Sequence, residues 1–517
     1  MNLPAAYAVT FIASFCILVI EIVAGRILAP FVGVSLYTWT SIIGVVLAGI
    51  SIGAFLGGKL ADRHPRRKTL GWLLLISGLA TLSISPVTNA VAAQQFPLSL
   101  MLRILTVTTI TFFIPSCVLG MISPVVVKLA VQNMEKMGNV VGKIYAVSTL
   151  GSITGTFAAG FFLISWMGTR NIILLMGLIL IVTALLWGSL FRRKTSALAF
   201  LIFPSLLVWA MYDVAFAPQL ASNTYHYTET DYYTIKINGS TSSDGKTRLE
   251  ALVLDNLTHS FVNLADPRYI EYRYEKIYAD VFAWRFKRYD PFRTLTIGGG
   301  GYTFPRYLEY TYPLATVDVV EIDPEITKIV HRFLGLPRNT RIRSYNMDGR
   351  WFVMNCAENY DVIFVDAYND LSIPYHLTTR EFARLLKGIL TADGILLTNI
   401  IDDYRKGSFL PSYVRTLREV FGDDNVHIIS ISPDFEKIGI STFIVLAHRG
   451  NLDIGDFESF VRKKKDCLLT SAVVPEGRVK EFVLQRSAVL LTDDYVPVDN
   501  LIAPIFEARF GYNRRNR

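Results

Sequence analysis

Residues 1 to 217 contain seven long runs almost free of charge, and no other feature restricts the fold of this chain so strongly. A helix needs about 20 apolar residues to cross about 30 Å of hydrocarbon. The runs Ala5–Gly25, Leu36–Gly58, Leu70–Ala92, Ile104–Val127, Val140–Trp166, Ile172–Leu190 and Ala197–Phe216 all come near that length. They predict an N-terminal all-α transmembrane bundle of about seven helices over residues 1–217, with the lipid bilayer as its surroundings and a multi-pass place in the cell (inner) membrane. The N-terminus lacks the basic start and small-residue cleavage site of a secretory signal, so the first run reads as a retained span. Residues 218 to 517 have an ordinary globular composition and predict a soluble half.

Small residues recur at helical spacing in two runs, at Gly44, Gly49, Gly53 and Gly57 and at Gly151, Gly155 and Gly160. Such faces let helices approach closely. Pro115 and Pro124 predict a kink in the fourth run. The stretch from Gly57 to Lys68, with Asp62-Arg63 and Arg66-Arg67-Lys68, resembles the loop between the second and third spans of major facilitator transporters. That loop and Arg192-Arg193-Lys194 are the basic clusters expected in the cytosol. A seventh full crossing after them would put the soluble half outside; otherwise one segment does not cross, and the proline-interrupted third, fourth and seventh are the candidates. Glu21 and Arg26 read either as an interface-level pair or as a site for a cationic or proton-coupled ligand.

The net charge of +8 comes from 51 basic against 43 acidic residues, much of it in short clusters between apolar runs. Topology accounts for that excess, so no nucleic-acid partner is expected. Cys16, Cys117, Cys356 and Cys467 have no metal-like or redox spacing, which predicts neither a disulfide framework nor a metal site.

In the soluble half, residues 218–290 form a small β-rich segment. Tyr232–Ile237 and Leu249–Leu254 alternate as strands, with a turn-rich Asn238–Gly245 between them. Over residues 291–517 short apolar strands alternate with helical stretches: Leu295–Ile297, Thr316–Glu321, Arg341–Tyr345, Tyr360–Val365 and Gly394–Ile400. That alternation predicts a mostly parallel, doubly wound sheet whose ligand lies at the carboxyl ends of the strands. The first strand runs into Gly298-Gly299-Gly300-Gly301. The second ends in Glu321, 20 residues after Gly301, where a carboxylate can accept both hydroxyls of a ribose. Asp348 follows the third strand and Asp366 the fourth, so carboxylates ring one cleft. A nucleoside fits this pattern. A phosphate is disfavoured by the acidic rim, and the P-loop pattern is absent.

The segments Leu254-Asp255-Asn256, Ile297–Gly301, Val320–Asp323, Met347-Asp348-Gly349 and Asp361–Asp366 resemble spermidine synthases, the polyamine aminopropyltransferases. The whole chain is similar to bacterial membrane proteins that fuse a multi-span domain to such an enzyme, including Ser372–Leu377 and Leu491–Pro497. The resemblance implies a Rossmann-like methyltransferase/spermidine synthase fold. It implies decarboxylated S-adenosylmethionine or S-adenosylmethionine as co-substrate, no tightly bound cofactor, an amine or polyamine acceptor, and a homodimer. It further implies that Gly298, Gly299 and Gly300 line the methionine-derived part of the ligand, Glu321 holds the ribose, Asp348 meets the adenine amino group and Asp366 is the catalytic carboxylate. Two family aspartates are replaced, by Gly301 and by Asn369 with Asp370 next to it, which depletes the acceptor side. Tyr302, Tyr368 and His376 are candidate substitutes, Asp494 is a lesser one, and Asn369 and Asp370 stay candidate substrate-binding residues. The expected reaction is aminopropyl transfer with release of 5′-methylthioadenosine. Acceptor-independent cleavage, methyl transfer, and a polyamine or nucleoside transporter with a sensing domain are the alternatives.

Overall fold

The computed structural model describes residues 1–517 apart from residues 34, 93, 95–97, 132–133, 191–219, 256, 369–372, 464–471, 487 and 511–517. It contains two compact units, one built on Met1–Leu220 and the other on Ala221–Arg509. The first consists of helices α1 (Leu3–Val32), α2 (Leu36–Arg63), α3 (Arg67–Leu82), α4 (Ile84–Ala92), α5 (Leu100–Gly120), α6 (Ile122–Ala130), α7 (Met137–Ala158) and α8 (Ile164–Trp187).

Four helical stretches are long and apolar enough to cross a membrane: Leu3–Val32, Leu36–Arg63, Leu100–Ala130 and Met137–Trp187. The pair α3 and α4, bent by 42°, makes a fifth if it counts as one span. The described residues thus give four or five candidate spans where the sequence suggested about seven. Two of the seven runs fall in the single stretch Met137–Trp187, which is broken at Gly168 (φ 70°, ψ 160°). The seventh run, Ala197–Phe216, lies outside the described residues, as do Arg192–Lys194 and Cys467.

Two breaks have a common cause. A proline cannot donate to the carbonyl four residues back. Pro86 withholds that bond from Leu82, where α3 ends, and Pro124 withholds it from Gly120, where α5 ends. Pro115, by contrast, sits inside an unbroken α5. The glycine face of α2 meets α5: a Cβ at Gly53 would lie 2.0 Å from the Cys117 carbonyl oxygen, and one at Gly49 2.7 Å from Ser116 Cβ. Gly151 and Gly155 of α7 abut the carbonyls of Phe11 and Phe15 on α1 in the same way, whereas Gly44 and Gly160 have open space around them.

The second unit begins with an antiparallel sheet, β1 (Thr224–Glu229), β2 (Thr234–Thr241), β3 (Arg248–Leu254) and β4 (Leu257–Val262), in sequential order. The turn lies later than expected: β2 runs through Asn238 to Thr241, and the chain reverses over Ser242–Thr247. After the helix Arg273–Arg285 comes the larger sheet, β5 (Arg293–Ile297), β6 (Thr316–Glu321), β7 (Arg343–Asn346), β8 (Tyr360–Val365), β9 (Leu390–Asp403), β10 (Val426–Ser430), β11 (Ile440–His448) and β12 (Ala472–Val473). Its order is β12-β10-β11-β9-β8-β5-β6-β7. Strands β5 to β9 pair in parallel, and β11 pairs antiparallel with both β9 and β10. This is the doubly wound, Rossmann-like sheet expected from the strand pattern, with an antiparallel edge added.

The helix Arg273–Arg285 is pinned to the sheet by aromatic side chains. Tyr278 and Phe282 pack on Phe304 and Phe364 at ring separations of 4.8 to 5.8 Å. Each such buried side chain contributes about 1.5–3 kcal/mol, which fixes the helix against Phe364 of β8 and Phe304.

Candidate active site

The chain leaves β5 toward β6 on one side and returns to β8 on the other, so the sheet splits between β5 and β8 at its carboxyl end. A doubly wound sheet opens its ligand crevice at that point. Gly298 sits at the mouth of the split with φ 97°, and a Cβ there would lie 2.4 Å from the carbonyl oxygen of Asp366. Only glycine fits both the left-handed backbone and the approach of β8.

Glu321 closes β6 and is buried. Its Oε2 accepts the N–H groups of Gly299 (2.8 Å) and Gly300 (3.4 Å), and its Oε1 accepts that of Asp323 (3.0 Å). Burial raises its pKa, opposed by those backbone donors. The loop after β5 is thereby fastened to the end of β6, and the carboxylate stands beside it.

Asp348 caps the helix Gly349–Met354, its Oδ1 accepting the N–H of Trp351 at 2.9 Å. Its Oδ2 lies 2.8 Å from Nε2 of His376. The two residues that the sequence put in separate motifs therefore form one pair on the cavity wall. Arg350 donates to the carbonyl of His376 (3.1 Å) and bidentately to Asp493 (2.7 and 2.5 Å). It ties the segment around Asp493 to the loop that carries His376.

Asp366 follows β8 directly. Its N–H donates to the carbonyl of Ile297 at 2.9 Å, and its Oδ1 accepts the side-chain amide of Asn399 at 2.8 Å. Burial pushes its pKa up, and the Asn399 amide and the Tyr274 hydroxyl pull it back. A carboxylate oriented by the Asn399 amide and with a raised proton affinity is suited to accept a proton from a bound amine.

One cavity brings together Gly298, Gly299, Gly300, Glu321, Asp348, Asp366, Tyr368 and His376. Tyr368 contributes its ring, because its hydroxyl donates to the carbonyl of Asn399 (2.7 Å) and accepts the N–H of Ile401 (3.0 Å). Tyr302 has a different place from the one expected. It has no exposed surface, packs behind Gly299 and directs its hydroxyl to Ser344 (3.1 Å) and Thr327 (3.3 Å), so it supports the glycine loop from behind. Asn369 and Asp370 lie outside the described residues. The neighbour of Asp494, Asp493, is the one engaged, with Arg350.

The cavity also contains residues that the sequence reading passed over: His259, Ser260, Tyr274, Glu275 and Tyr278, with Asn399 behind Asp366. Glu275 carried a readable signal. With Tyr278 and Phe282 it falls at helical spacing i, i+3, i+7, so a carboxylate stands on the apolar face of the helix. The lining of the cavity includes Glu275, Glu321, Asp348 and Asp366 but no lysine or arginine among the described residues.

Comparison with known proteins agrees with the resemblance read from the sequence: residues 285–444 match the spermine/spermidine synthase domain. A polyamine aminopropyltransferase of Vibrio vulnificus is 34% identical over 136 residues, which are 26% of this chain and 44% of that protein. The chain thus spans less than half the length of that relative. Polyamine aminopropyltransferase 2 of Aquifex aeolicus is 23% identical over 513 residues, covering 96% of both chains. Among solved structures, a probable spermidine synthase from Corynebacterium glutamicum is similar over 54% of this chain and 99% of its own, with 20% identity and a TM-score of 0.45.

Proposed function

We propose that the soluble unit is an aminopropyltransferase: it binds decarboxylated S-adenosylmethionine, passes the aminopropyl group to an amine and releases 5′-methylthioadenosine. The observation that carries this reading is the acidic cavity at the β5/β8 split, within a domain that matches spermine/spermidine synthases. A sulfonium with a free ammonium is attracted by such a lining. The carboxylate of intact S-adenosylmethionine would face Glu321, Asp348, Asp366 and Glu275 without a cationic partner, which favours the decarboxylated ligand.

In this reading the glycine loop admits the ligand close to the backbone, Glu321 takes the ribose hydroxyls, and Asp348 with His376 bounds the base. The neutral acceptor nitrogen attacks the methylene carbon next to sulfur. A C–N bond forms as the C–S bond breaks, the electron pair stays on sulfur to give the thioether, and the proton shed by nitrogen goes to Asp366. The leaving group is already activated, so catalysis reduces to alignment and proton removal.

The helical unit, we infer, lies in a lipid bilayer as a multi-pass domain of the cell membrane. Phe55, Phe161 and Trp166 are 62%, 68% and 77% exposed on helices with little charge. Surfaces of that kind face hydrocarbon more readily than water. Retention of the chain in the membrane pellet after an alkaline wash tests this.

The catalytic test incubates the detergent-purified chain with decarboxylated S-adenosylmethionine or S-adenosylmethionine, with and without a mixture of amines, and identifies the products by mass spectrometry. Amine-dependent 5′-methylthioadenosine with an aminopropylated amine is expected. The same nucleoside without amine indicates cleavage, and S-adenosylhomocysteine indicates methyl transfer; either overturns the assignment.

A further inference from the structure

Glu275 is the feature of the cavity that the mechanism above leaves unused. It is 5% exposed, lines the cavity, and its Oε2 is buried with no hydrogen-bond partner among the described residues. On the first turn of the helix Arg273–Arg285, Tyr274 and Glu275 share the cavity lining with Asp366. A buried carboxylate oxygen without a donor carries a desolvation cost that a native fold normally avoids. Tyr278 and Phe282 anchor the helix below it, which keeps Glu275 from swinging out to solvent.

Behind the cavity wall, Gly301 packs against β4 with no room for a side chain. The N–H of Gly301 donates to Ser260 Oγ at 2.8 Å, and a Cβ on Gly301 would lie 2.6 Å from Ser260 Cβ. Position 301 therefore adds no carboxylate beside Ser260, whereas the helix supplies Glu275 to the lining.

We propose that Glu275 is a specificity residue that seats a primary ammonium of the ligand, working with Asp366 to select a linear amine over a neutral group of the same shape. This rests on the aminopropyl-transfer reading. The ammonium belongs either to the aminopropyl arm of the nucleoside or to the acceptor. Bound there, it supplies the missing donor to Glu275 and offsets the repulsion between the two carboxylates. Burial and the charge of Asp366 raise the Glu275 pKa well above the usual carboxylate range, and a cation beside it would oppose both.

The test is titration calorimetry on wild type, Glu275→Gln and Glu275→Asp, with three probes: decarboxylated S-adenosylmethionine, 5′-methylthioadenosine, which has no amine, and 1,3-diaminopropane added to the protein saturated with 5′-methylthioadenosine. Glu275→Gln is expected to weaken one amine-bearing probe by about 10- to 100-fold and to leave 5′-methylthioadenosine unchanged, with partial recovery in Glu275→Asp. Loss confined to the nucleoside assigns the ammonium to the aminopropyl arm, and loss confined to the diamine assigns it to the acceptor. Unchanged binding of both amines, or an equal loss for 5′-methylthioadenosine, overturns the proposal. If wild type binds neither nucleoside, aminopropyl transfer itself falls, and 1,3-diaminopropane alone decides: weaker binding to Glu275→Gln upholds the ammonium seat, while equal or no binding to wild type overturns it. Thermal melting guards against misfolding, since an amide in place of a buried carboxyl should not lower the transition.

Discussion

Asn399, in the middle of β9, donates its side-chain amide to Asp366 at the end of β8 over 2.8 Å, 33 residues apart in sequence. The bond points one carboxylate oxygen toward β9 and leaves the other to the cavity. It also lowers the pKa that burial raises. Replacing Asn399 by leucine should therefore reduce kcat of aminopropyl transfer by about 10- to 100-fold, from a charged hydrogen bond of about 1.5–3 kcal/mol, with little change in KM. The acidic limb of the pH–rate profile should move to higher pH, because the donor that favours the ionised form is gone. A fall in KM affinity without that movement would mean that Asn399 serves binding instead.

Asp366→Asn should abolish transfer and keep nucleoside binding. The amide is nearly isosteric but cannot take the ammonium proton. Equilibrium dialysis with 5′-methylthioadenosine beside a product assay separates the two effects. Retained turnover would remove Asp366 from the chemistry.

Glu321→Gln should weaken nucleoside binding by about 10-fold or more, through loss of charge-assisted acceptance and of the backbone bonds that shape the glycine loop, while Asp348→Asn should act less because an amide oxygen can keep its helix cap. Dissociation constants for 5′-methylthioadenosine check the order. The reverse order would place the ribose at Asp348.

Asp402 has no exposed surface and accepts the N–H groups of Asp403 and Leu410 at 2.8 and 2.7 Å. Burial pushes its pKa up to about 7, from about 4 in an unfolded chain. A carboxyl whose folded pKa is raised binds its proton more tightly when folded, so its stabilising contribution is full below about pH 4 and is lost as pH rises to about 7. Denaturant unfolding across that window should show stability falling with pH, and Asp402→Asn should flatten the slope.

Gly298→Ala should cost about 2–4 kcal/mol, from the left-handed backbone together with overpacking against β8. A melting temperature equal to wild type would mean that β8 can retreat.

Much of the soluble fold was legible because its strands are short, apolar and rich in β-branched residues. Thr316–Glu321 and Tyr360–Val365 are found with the bounds read from the sequence. The glycine loop and the carboxylates after β6, β7 and β8 were legible as well, since a strand followed at once by a functional residue is a local pattern. Glu275 and Asn399 were not, because their meaning lies in proximity to Asp366 across 91 and 33 residues and no local spacing encodes that. Tyr302 misled for the converse reason. Its place in the glycine motif suggested the cavity, but φ 55° turns its side chain behind the loop. In the helical unit apolar runs marked the helices and the prolines marked the breaks near Pro86 and Pro124, but Pro115, read the same way, sits inside an unbroken α5.

The buried phenol of Tyr302 reaches past β6 to Ser344 on β7, the edge strand of the sheet, at 3.1 Å. Edge strands open more readily than central ones, so the glycine loop is coupled to one margin of the sheet as well as to its centre. Amide exchange at Gly299 and Gly300 should then follow the opening of β7 more closely than that of β5. A change at β7 thus has a direct route to the glycine loop through the Tyr302 hydroxyl.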